Sequence, residues 1–286
     1  IERAGSVRSV LAFVAERYLP VYPVYLTLWV IAVESMCTVP SGTGPWRPTW
    51  DTAFKALALI LAGAFLRMVD DQKDLDYDRV HNPQRPLVQG RVTRRDLQLA
   101  MGPVAVAALA FGVAVSAPAA AFLASALGYG MFLWWAESRV AWISDNPLVN
   151  LAVVCPAQFL VTGFIMAGQP GLGWSAVAVP VVFTSAFLHV EFARKTSRTP
   201  AADDPHSYSR VLGASGSALT AWAFGTFAVA LEVAVTGNWL PMAVALLPCV
   251  SAWTFFVRRP NDHPTGLPTV FVIVFYLSII VQGLIT

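Results

Sequence analysis

Long apolar runs separated by short polar connections repeat along the whole chain. Runs of about 20 residues have the length that an α-helix needs to cross the hydrocarbon core of a bilayer. Sustained apolarity over that length predicts transmembrane helices rather than strands. The nine predicted spans are residues 18–38, 51–71, 95–115, 118–137, 147–167, 174–195, 213–236, 239–257 and 267–286. The pattern therefore predicts an all-α integral membrane protein.

The composition supports this class and excludes others. Hydrophobic residues make up 56% of the 286 residues and charged residues only 13%, which is far from the range of soluble domains. A net charge of +2 is too small to indicate nucleic-acid binding. The sequence contains no long linker or low-complexity tract, so we expect residues 1–286 to form one polytopic membrane domain. The chain begins at Ile1 without a methionine, so we expect an N-terminal piece to precede it, and we expect no cleavable signal peptide.

Basic residues are distributed unequally between the two ends of the predicted spans. The N-terminus and the connections after spans two, four, six and eight hold all but two of the 19 lysine and arginine residues. The opposite face holds only Arg47 and Lys55. Since basic residues accumulate on the cytoplasmic side of membranes, the N-terminus is predicted to be cytoplasmic and the C-terminus to lie on the opposite side.

The most polar stretch runs from Arg67 to Gly90, at the cytoplasmic end of the second span, and we call residues 67–95 the acidic segment. Asp71, Asp74 and Asp78 are spaced i, i+3, i+7, so a continuing helix places all three carboxylates and Arg67 on one face. Because stacked like charges repel, the arrangement needs cations among the carboxylates. Several oxygen ligands suit Mg²⁺, whose remaining ligands are usually water and phosphate oxygens. The alternative is a solvated acidic helix end between two spans.

A second polar segment, residues 189–213, follows the sixth span. Glu191, Arg194, Lys195 and Arg198 share a helical face there, and Asp203 and Asp204 follow in a proline-rich connection. An ionisable residue at membrane depth is a candidate functional residue, although Glu191 and Lys195 also fit an ordinary i, i+4 helix pair. His189 is expected to be a packed or hydrogen-bonded histidine.

Both segments follow long apolar spans, and this symmetry suggests two charged loops that meet over one central cavity among the helices. Carboxylates that hold Mg²⁺, with lysine and arginine nearby, would bind a diphosphate and stabilise it as a leaving group. An apolar cavity would accept a hydrocarbon tail. An isoprenyl diphosphate combines both features. Glu137 and Arg139, at the end of the fourth span, either pair with each other or border the site.

The acidic segment resembles the first signature of the UbiA superfamily of intramembrane prenyltransferases. That signature is N-D-x-x-D-x-x-x-D followed by R-P-L-x-x-G, and this chain has Asp70-Asp71-x-x-Asp74-x-x-x-Asp78 followed by Arg85-Pro86-Leu87-x-x-Gly90. The resemblance implies a fold of about nine transmembrane helices around a central cavity. It implies that Asp71, Asp74 and Asp78 are catalytic Mg²⁺ and diphosphate residues and that Arg85 is a basic residue of the same loop.

The chain departs from the family pattern at two positions. Asp70 replaces the usual asparagine and adds a carboxylate. The second family motif, D-x-x-x-D, corresponds to Glu191-x-x-x-Lys195, and a lysine cannot hold a metal ion. Either Glu191 holds the second Mg²⁺ with Asp203 or Asp204, or Lys195 contacts the diphosphate directly as a point charge. We favour the second alternative.

The leading hypothesis is a Mg²⁺-dependent membrane prenyltransferase that moves an isoprenyl group from its diphosphate to an aromatic or lipid-like acceptor. The predicted diphosphate-binding residues are Arg67, Lys73, Arg85, Arg194, Lys195 and Arg210. A membrane terpene cyclase of the same superfamily is the alternative, in which the substrate's own double bond captures the carbocation. A transporter would place its charged residues in the middle of the spans, whereas both acidic clusters lie at one membrane face.

Overall fold

The structure is a computed structural model that describes residues 7–200, 207–259, 263–264 and 266–286. Asp203 and Asp204, which the sequence offers as possible metal ligands, lie outside these residues. The helices in the described residues are α1 (Val7–Arg17), α2 (Val21–Ser41), α3 (Trp50–Lys73), α4 (Leu75–His81), α5 (Arg94–Val115), α6 (Ala117–Arg139), α7 (Ala141–Asp145), α8 (Pro147–Met166), α9 (Ser175–Arg194), α10 (Ser209–Thr236), α11 (Trp239–Arg258) and α12 (Gly266–Ile285).

Nine helices of the described chain are long and apolar enough to cross a membrane, namely all except α1, α4 and α7. Each of the nine overlaps one predicted span, and the ends agree within a few residues. The prediction of an all-α, multi-pass integral membrane protein is therefore confirmed. Of the three short helices, α4 continues the helix that the aspartate spacing predicts, whereas α1 and α7 were not predicted, because they are too short to produce a clear periodic signal.

Short polar side chains define where several helices begin. Thr49 accepts a hydrogen bond from the N–H of Thr52, whose side chain in turn accepts one from Thr49, and this capping box starts α3. Thr93 and Asp96 form the same reciprocal arrangement at the start of α5. Each capping box satisfies N–H groups that have no partner within the helix. The start of α5, which follows the acidic segment, is thereby fixed.

Helix α10 contains a kink at Gly213. Gly213 has φ +70° and ψ 160°, a backbone conformation that side chains with a Cβ rarely adopt. The short turn before the kink begins at Ser209, and the apolar span follows it. This kink explains why the sequence places the start of the seventh span at residue 213.

Contacts divide the described chain into two compact units, while the single-domain organisation stays a prediction of the sequence. The first unit comprises Ile1–Val30 and Pro48–Arg139, of which residues 1–6 are outside the described part. In this unit α3 packs against α5 and α6, and α1 packs against α5. Tyr18, which follows α1, is buried and donates a hydrogen bond to the carbonyl oxygen of Ile60 at 2.6 Å. These contacts anchor α1 to the first unit.

The second unit comprises Ile31–Arg47 and Val140–Thr286. Helix α9 is the most deeply buried of the nine apolar helices and packs against α8, α10 and α12. Leu188 and Phe192 of α9 pack with Tyr208 and Ala221 in one hydrophobic cluster. The C-terminal end of α9, which carries Glu191, is therefore held by a well-packed core.

Candidate functional site

The acidic segment keeps helical geometry across the junction between α3 and α4. Asp74 lies at this junction with φ −86° and ψ 8°. Its backbone N–H donates to the carbonyl oxygen of Asp70 at 2.9 Å, and the N–H of Asp78 donates to that of Asp74 at 2.8 Å. Because these bonds continue the i to i−4 pattern of an α-helix, Asp71, Asp74 and Asp78 keep the helical spacing that the sequence predicts.

Asp71 is buried, and two arginine residues neutralise its carboxylate. Arg17 donates from Nε to Oδ2 at 2.9 Å and from Nη2 to Oδ1 at 3.1 Å. Arg67, one turn before Asp71 in α3, forms an ion pair with Oδ1 at 3.2 Å. Burial lowers the pKa of Arg17, but its hydrogen bonds to Asp71 outweigh this effect and raise the pKa above its usual value. Arg67 thus lies on the predicted face, and Arg17 is an additional partner.

Asp78 is also buried and is bonded at both carboxylate oxygens. Asn82, one turn later, donates from Nδ2 to Oδ1 at 2.9 Å. The Nη1 atom of Arg85 donates to Oδ2. The arginine of the R-P-L-x-x-G sequence therefore contacts the third aspartate of the preceding motif.

Lys73 joins the remaining carboxylates of the acidic segment. Its Nζ lies 3.1 Å from Oε2 of Glu137, 3.8 Å from Oδ1 of Asp74 and 4.0 Å from Oδ1 of Asp70. Glu137, at the end of α6, was expected to pair with Arg139 or to border the site. The structure pairs it with Lys73, one of the predicted diphosphate-binding residues, so α6 is tied to the end of α3 by an ion pair.

These ion pairs form three neighbouring sets in the sequence of the first unit, which we together call the acidic network and which contain one more carboxylate than cations. Its members are Asp70, Asp71, Asp74, Asp78 and Glu137 on the acidic side and Arg17, Arg67, Lys73 and Arg85 on the basic side. The repulsion that the sequence predicts among the aspartates is therefore offset by side chains of the protein itself. The single-face arrangement is stable because cations are interleaved with it.

The donor set of the acidic network fits Mg²⁺ by its chemistry, since it consists of carboxylate oxygens with an excess of negative charge. The side chains of Asp70 and Asp74 are 52% and 35% exposed, so an ion can reach them from solvent. No three aspartate, glutamate, histidine or cysteine side chains of the described residues are close enough together to hold a metal ion. Binding of Mg²⁺ by Asp71, Asp74 and Asp78 therefore requires these side chains to exchange protein cations for the metal.

The loop that begins with Arg85 is a compact turn. The N–H of Gln89 donates to the carbonyl oxygen of Arg85 at 3.0 Å, and that of Arg91 donates to Pro86 at 2.9 Å. Gly90 has φ +68°, which explains the glycine of R-P-L-x-x-G, because a left-handed conformation strains most other residues. The loop thereby holds Arg85 in place against the acidic network.

Helix α1 is fastened to the acidic segment at a second point beside Arg17. Arg91 donates from Nη1 to Oε2 of Glu16 at 2.5 Å and from Nη2 to Oε1 at 2.9 Å. The hydrogen bonds from Arg91 lower the pKa of Glu16. Two adjacent residues of α1 thus contact the acidic segment: Glu16 binds Arg91, and Arg17 binds Asp71.

A cleft of about 530 Å³ lies between α4 and the loop that begins with Arg85 and is lined in part by Leu87 and Gly90 of that loop. Asp76, Arg79 and Arg94 contribute its charged lining. Asp71, Asp74 and Asp78 do not line this cleft. The cleft is therefore separate from the aspartates that the sequence assigns to Mg²⁺.

In the second unit, the carboxylate of Glu191 is buried and surrounded by donors. Lys195 Nζ lies 2.6 Å from Oε1, and Arg194 Nε donates to Oε2 at 2.6 Å. The hydroxyl of Tyr208 donates to Oε1 at 3.2 Å. The i, i+4 pair between Glu191 and Lys195 is therefore confirmed, with Arg194 and Tyr208 as further partners.

Tyr208 packs where the second polar segment enters α10. It is 1% exposed, and its ring lies 4.4 Å from that of Phe192 between centroids. Lys195 Nζ lies 5.1 Å from the centroid of the Tyr208 ring, close enough for a cation–π contact. Burial and the nearby Glu191 carboxylate raise the pKa of Tyr208 far above its usual value. Tyr208 thus stays a neutral hydrogen-bond donor.

The other predicted basic residues of the second polar segment have different environments. The side chain of Arg194 is 55% exposed, and Arg210 is exposed in the first turn of α10. Arg198 lies 4.0 Å over the ring of Phe256 and donates to the carbonyl oxygen of Arg259 at 3.3 Å. Arg198 therefore holds the C-terminal end of α11, whereas Arg194 and Lys195 bind Glu191.

His189 is buried in the core of the second unit. Its Nδ1 is 2.7 Å from the carbonyl oxygen of Ala221, and its ring meets Phe271 edge to face at 4.5 Å between centroids. The prediction of a packed, hydrogen-bonded histidine is confirmed.

Sequence reasoning missed Arg17, Glu16 and Tyr208 as members of these sites. Arg17 is 54 residues from Asp71 in the sequence, and spacing patterns report only neighbours within one element. Glu16 and Arg17 are adjacent residues of opposite charge at the end of an amphipathic segment. This feature was the available signal that the segment could pair with charged residues elsewhere in the chain. Tyr208 lies in the second polar segment, where no repeating apolar pattern marks it as a buried residue.

Comparison of the chain with known proteins gives matches at the level of structure. No protein-family model and no curated protein matches the sequence. A structure of digeranylgeranylglyceryl phosphate synthase matches with a TM-score of 0.66 at 13% identity, over 97% of this chain and 99% of that one. A UbiA homologue from Aeropyrum pernix K1 matches with a TM-score of 0.60 at 18% identity, over 89% and 97% of the two chains.

A UbiA homologue from Archaeoglobus fulgidus bound to GPP and Mg²⁺ matches with a TM-score of 0.62 at 14% identity, over 96% of this chain and 98% of that one. These matches extend over nearly the full length of both chains in each pair. At such low identity they establish the arrangement of the helices rather than the chemistry. The protein therefore has the fold of the UbiA-type intramembrane prenyltransferases.

Proposed function

We propose that the protein is a Mg²⁺-dependent intramembrane prenyltransferase that transfers an isoprenyl group from its diphosphate to an aromatic or lipid-like acceptor. The observation that carries this proposal is the acidic network of the first unit, which occupies the end of α3 in a UbiA-type fold. A similar fold has been solved with GPP and Mg²⁺ in the Archaeoglobus fulgidus homologue. A prenyl diphosphate and Mg²⁺ are therefore the ligands we assign to this chain.

Asp71, Asp74 and Asp78 are the residues that would hold Mg²⁺, which supplies positive charge to the leaving diphosphate when bound. Asp74 is the most accessible of the three, with 35% of its side chain exposed. Asp71 and Asp78 are buried and hold arginine side chains in position. To bind the ion, Asp71 and Asp78 would release these arginine partners, whereas Asp74 is reached directly from solvent.

The basic residues of the acidic network bind the diphosphate in this proposal. Arg67, Lys73 and Arg85 are each held by a carboxylate and offer further N–H donors. The C–O bond to the prenyl carbon breaks with both electrons on the diphosphate oxygen. The resulting allylic carbocation then bonds to the nucleophilic atom of the acceptor, which loses a proton. Arg194, Lys195 and Arg210 are predicted to bind the same class of anion.

The charge asymmetry supports an orientation in which the N-terminus, the acidic segment and the second polar segment are cytoplasmic. An odd number of spans then places the C-terminus on the opposite side. Cysteine accessibility in sealed vesicles tests this orientation. A cysteine introduced at Asp76, which is 85% exposed, is expected to react only from the cytoplasmic side.

The proposed reaction is tested with the purified protein in lipid nanodiscs. Geranyl and longer prenyl diphosphates are supplied with Mg²⁺, with and without a panel of aromatic and lipid acceptors. We expect diphosphate release that requires both Mg²⁺ and an acceptor. Cyclic hydrocarbon or terpene alcohol formed without an acceptor identifies the cyclase instead, and no release under any condition contradicts both activities.

A further inference from the structure

Among the described residues, three side chains donate to the carboxylate of Glu191. Oε1 faces Lys195 Nζ at 2.6 Å and the Tyr208 hydroxyl at 3.2 Å, and Oε2 accepts from Arg194 Nε at 2.6 Å. Only 9% of the Glu191 side chain is exposed, so its oxygen atoms are enclosed by these partners. A metal ion at Oε1 would have to displace this ammonium group, as an ion at Asp71 would have to displace Arg17.

The local charge at Glu191 differs in sign from that of the acidic network. In the part of the chain that the structure describes, one carboxylate faces two cations at Glu191, whereas the acidic network has five carboxylates and four cations. A surplus of positive charge repels a divalent cation and attracts an anion. Among the described residues, the surroundings of Glu191 therefore do not fit Mg²⁺.

Tyr208 fixes the ammonium group of Lys195 in this position. Its hydroxyl shares Oε1 of Glu191 with Lys195, and its ring lies beneath Nζ at 5.1 Å from the ring centroid. The ring is itself held against Phe192 in the core of the second unit. A lysine that is normally flexible is thereby ordered by a carboxylate on one side and an aromatic face on the other.

We infer that Glu191 binds no metal ion and that Lys195, positioned by Glu191 and Tyr208, replaces the second Mg²⁺ as a diphosphate-binding cation. The inference rests on the proposed function for the identity of the anion. Lys195 stands where the D-x-x-x-D pattern has its second aspartate. In this inference, the positive charge that a bound metal ion would supply comes from the ammonium group of that lysine.

Metal binding tests the first half of the inference on the full chain in detergent, with Mn²⁺ as a paramagnetic substitute for Mg²⁺. We expect Glu191→Gln to bind the same number of Mn²⁺ ions as the unaltered protein, with affinity changed by less than about threefold. Asp74→Asn is expected to lose the bound ion. Loss of one ion, or affinity weakened by about tenfold or more in Glu191→Gln, overturns the inference. If the unaltered protein binds no Mn²⁺, the metal assignment in the acidic network fails and the inference about Glu191 stands.

Binding of inorganic diphosphate in the presence of EDTA tests the second half. Lys195→Met is expected to weaken this binding by about tenfold, and Lys195→Arg to restore most of it. Arg258→Gln, which removes an exposed positive charge at the end of α11, serves as the matched control and should change binding little. Unchanged binding in Lys195→Met overturns the role of Lys195. Thermal unfolding of each folded variant separates loss of binding from loss of structure.

Discussion

Arg17 of α1 donates two hydrogen bonds to the carboxylate of Asp71 in α3, 54 residues later in the chain. Both oxygen atoms of Asp71 are used by this arginine, and Oδ1 also faces Arg67 at 3.2 Å. A divalent ion at Asp71 would use the same oxygen atoms. Arg17 and such an ion would therefore compete for one carboxylate, and α1 would be coupled to that competition.

Replacement of Arg17 by glutamine is expected to lower the Mg²⁺ concentration that gives half-maximal activity. Arg17 is only 17% exposed, so its charge-assisted hydrogen bonds are only partly screened by water. A net contribution of roughly 1 kcal/mol corresponds to a shift of about fivefold. Mg²⁺ titration of diphosphate release measures this shift. Arg8→Gln, which removes an exposed charge from α1, is the control, and a higher Mg²⁺ requirement in Arg17→Gln would contradict the competition.

Replacement of Asp74 by alanine is expected to abolish turnover while leaving the protein folded. Asp74 is partly exposed and lies at a helix junction, so its removal leaves no fully buried charge uncompensated. Loss of a metal ligand should reduce the rate of diphosphate release by about a hundredfold or more. Asp76→Asn, at an exposed surface pair with Arg79, is the matched control. Activity that survives in Asp74→Ala counts against the metal assignment.

Asp71→Ala is expected to remove activity as well, but with a loss of stability that Asp74→Ala does not show. Asp71 is buried, and its removal leaves Arg17 and Arg67 without their shared carboxylate. An unpaired charge in a buried site costs about 3 to 5 kcal/mol, and the partial exposure of both arginines places the expected value below this range, at about 2 kcal/mol. Thermal unfolding in detergent compares the two variants. Equal stability would show that the arginines find other partners.

Replacement of Arg85 by leucine is expected to destabilise the acidic segment. Asp78 is only 2% exposed at its side chain and would lose its cationic partner, while Asn82 remains. We expect a loss of about 2 to 3 kcal/mol, since Arg85 itself is partly exposed. Arg79→Leu, which breaks an exposed pair, should change the free energy of unfolding by less than about 0.5 kcal/mol. Similar unfolding temperatures for the two variants would contradict the structural role of Arg85.

Acidification is expected to loosen α1 through Glu16. The hydrogen bonds from Arg91 hold the pKa of Glu16 below its usual value of 4.5. A carboxylate with a lowered pKa in the folded state contributes stability that is fully present above pH 4.5 and is lost as the pH falls through the lower value. A spin label at Ala12, an exposed position of α1, should therefore gain mobility only below about pH 4.5. Glu16→Gln should show the mobile state at every pH, and an unchanged pH profile in this variant would exclude Glu16 as the cause.

The sequence predicted the nine spans closely because the bilayer imposes both length and apolarity on each helix. It also predicted the helical spacing of Asp71, Asp74 and Asp78, since the i, i+3, i+7 pattern is local. Local patterns do not report partners that are distant in the chain. Arg17 at Asp71 and Tyr208 at Glu191 were therefore missed, although Arg17 changes the charge beside Asp71 and Tyr208 contacts the ammonium group of Lys195.

The loop from Arg85 to Arg91 is closed by its own backbone hydrogen bonds and continues directly into the capping box of α5. A segment that is already ordered loses little conformational entropy when it takes hold of a ligand. If Arg85 binds a charged headgroup as proposed, the binding free energy would not be consumed in folding the loop around it. The left-handed conformation of Gly90 thus lets the chain close this turn before any ligand arrives.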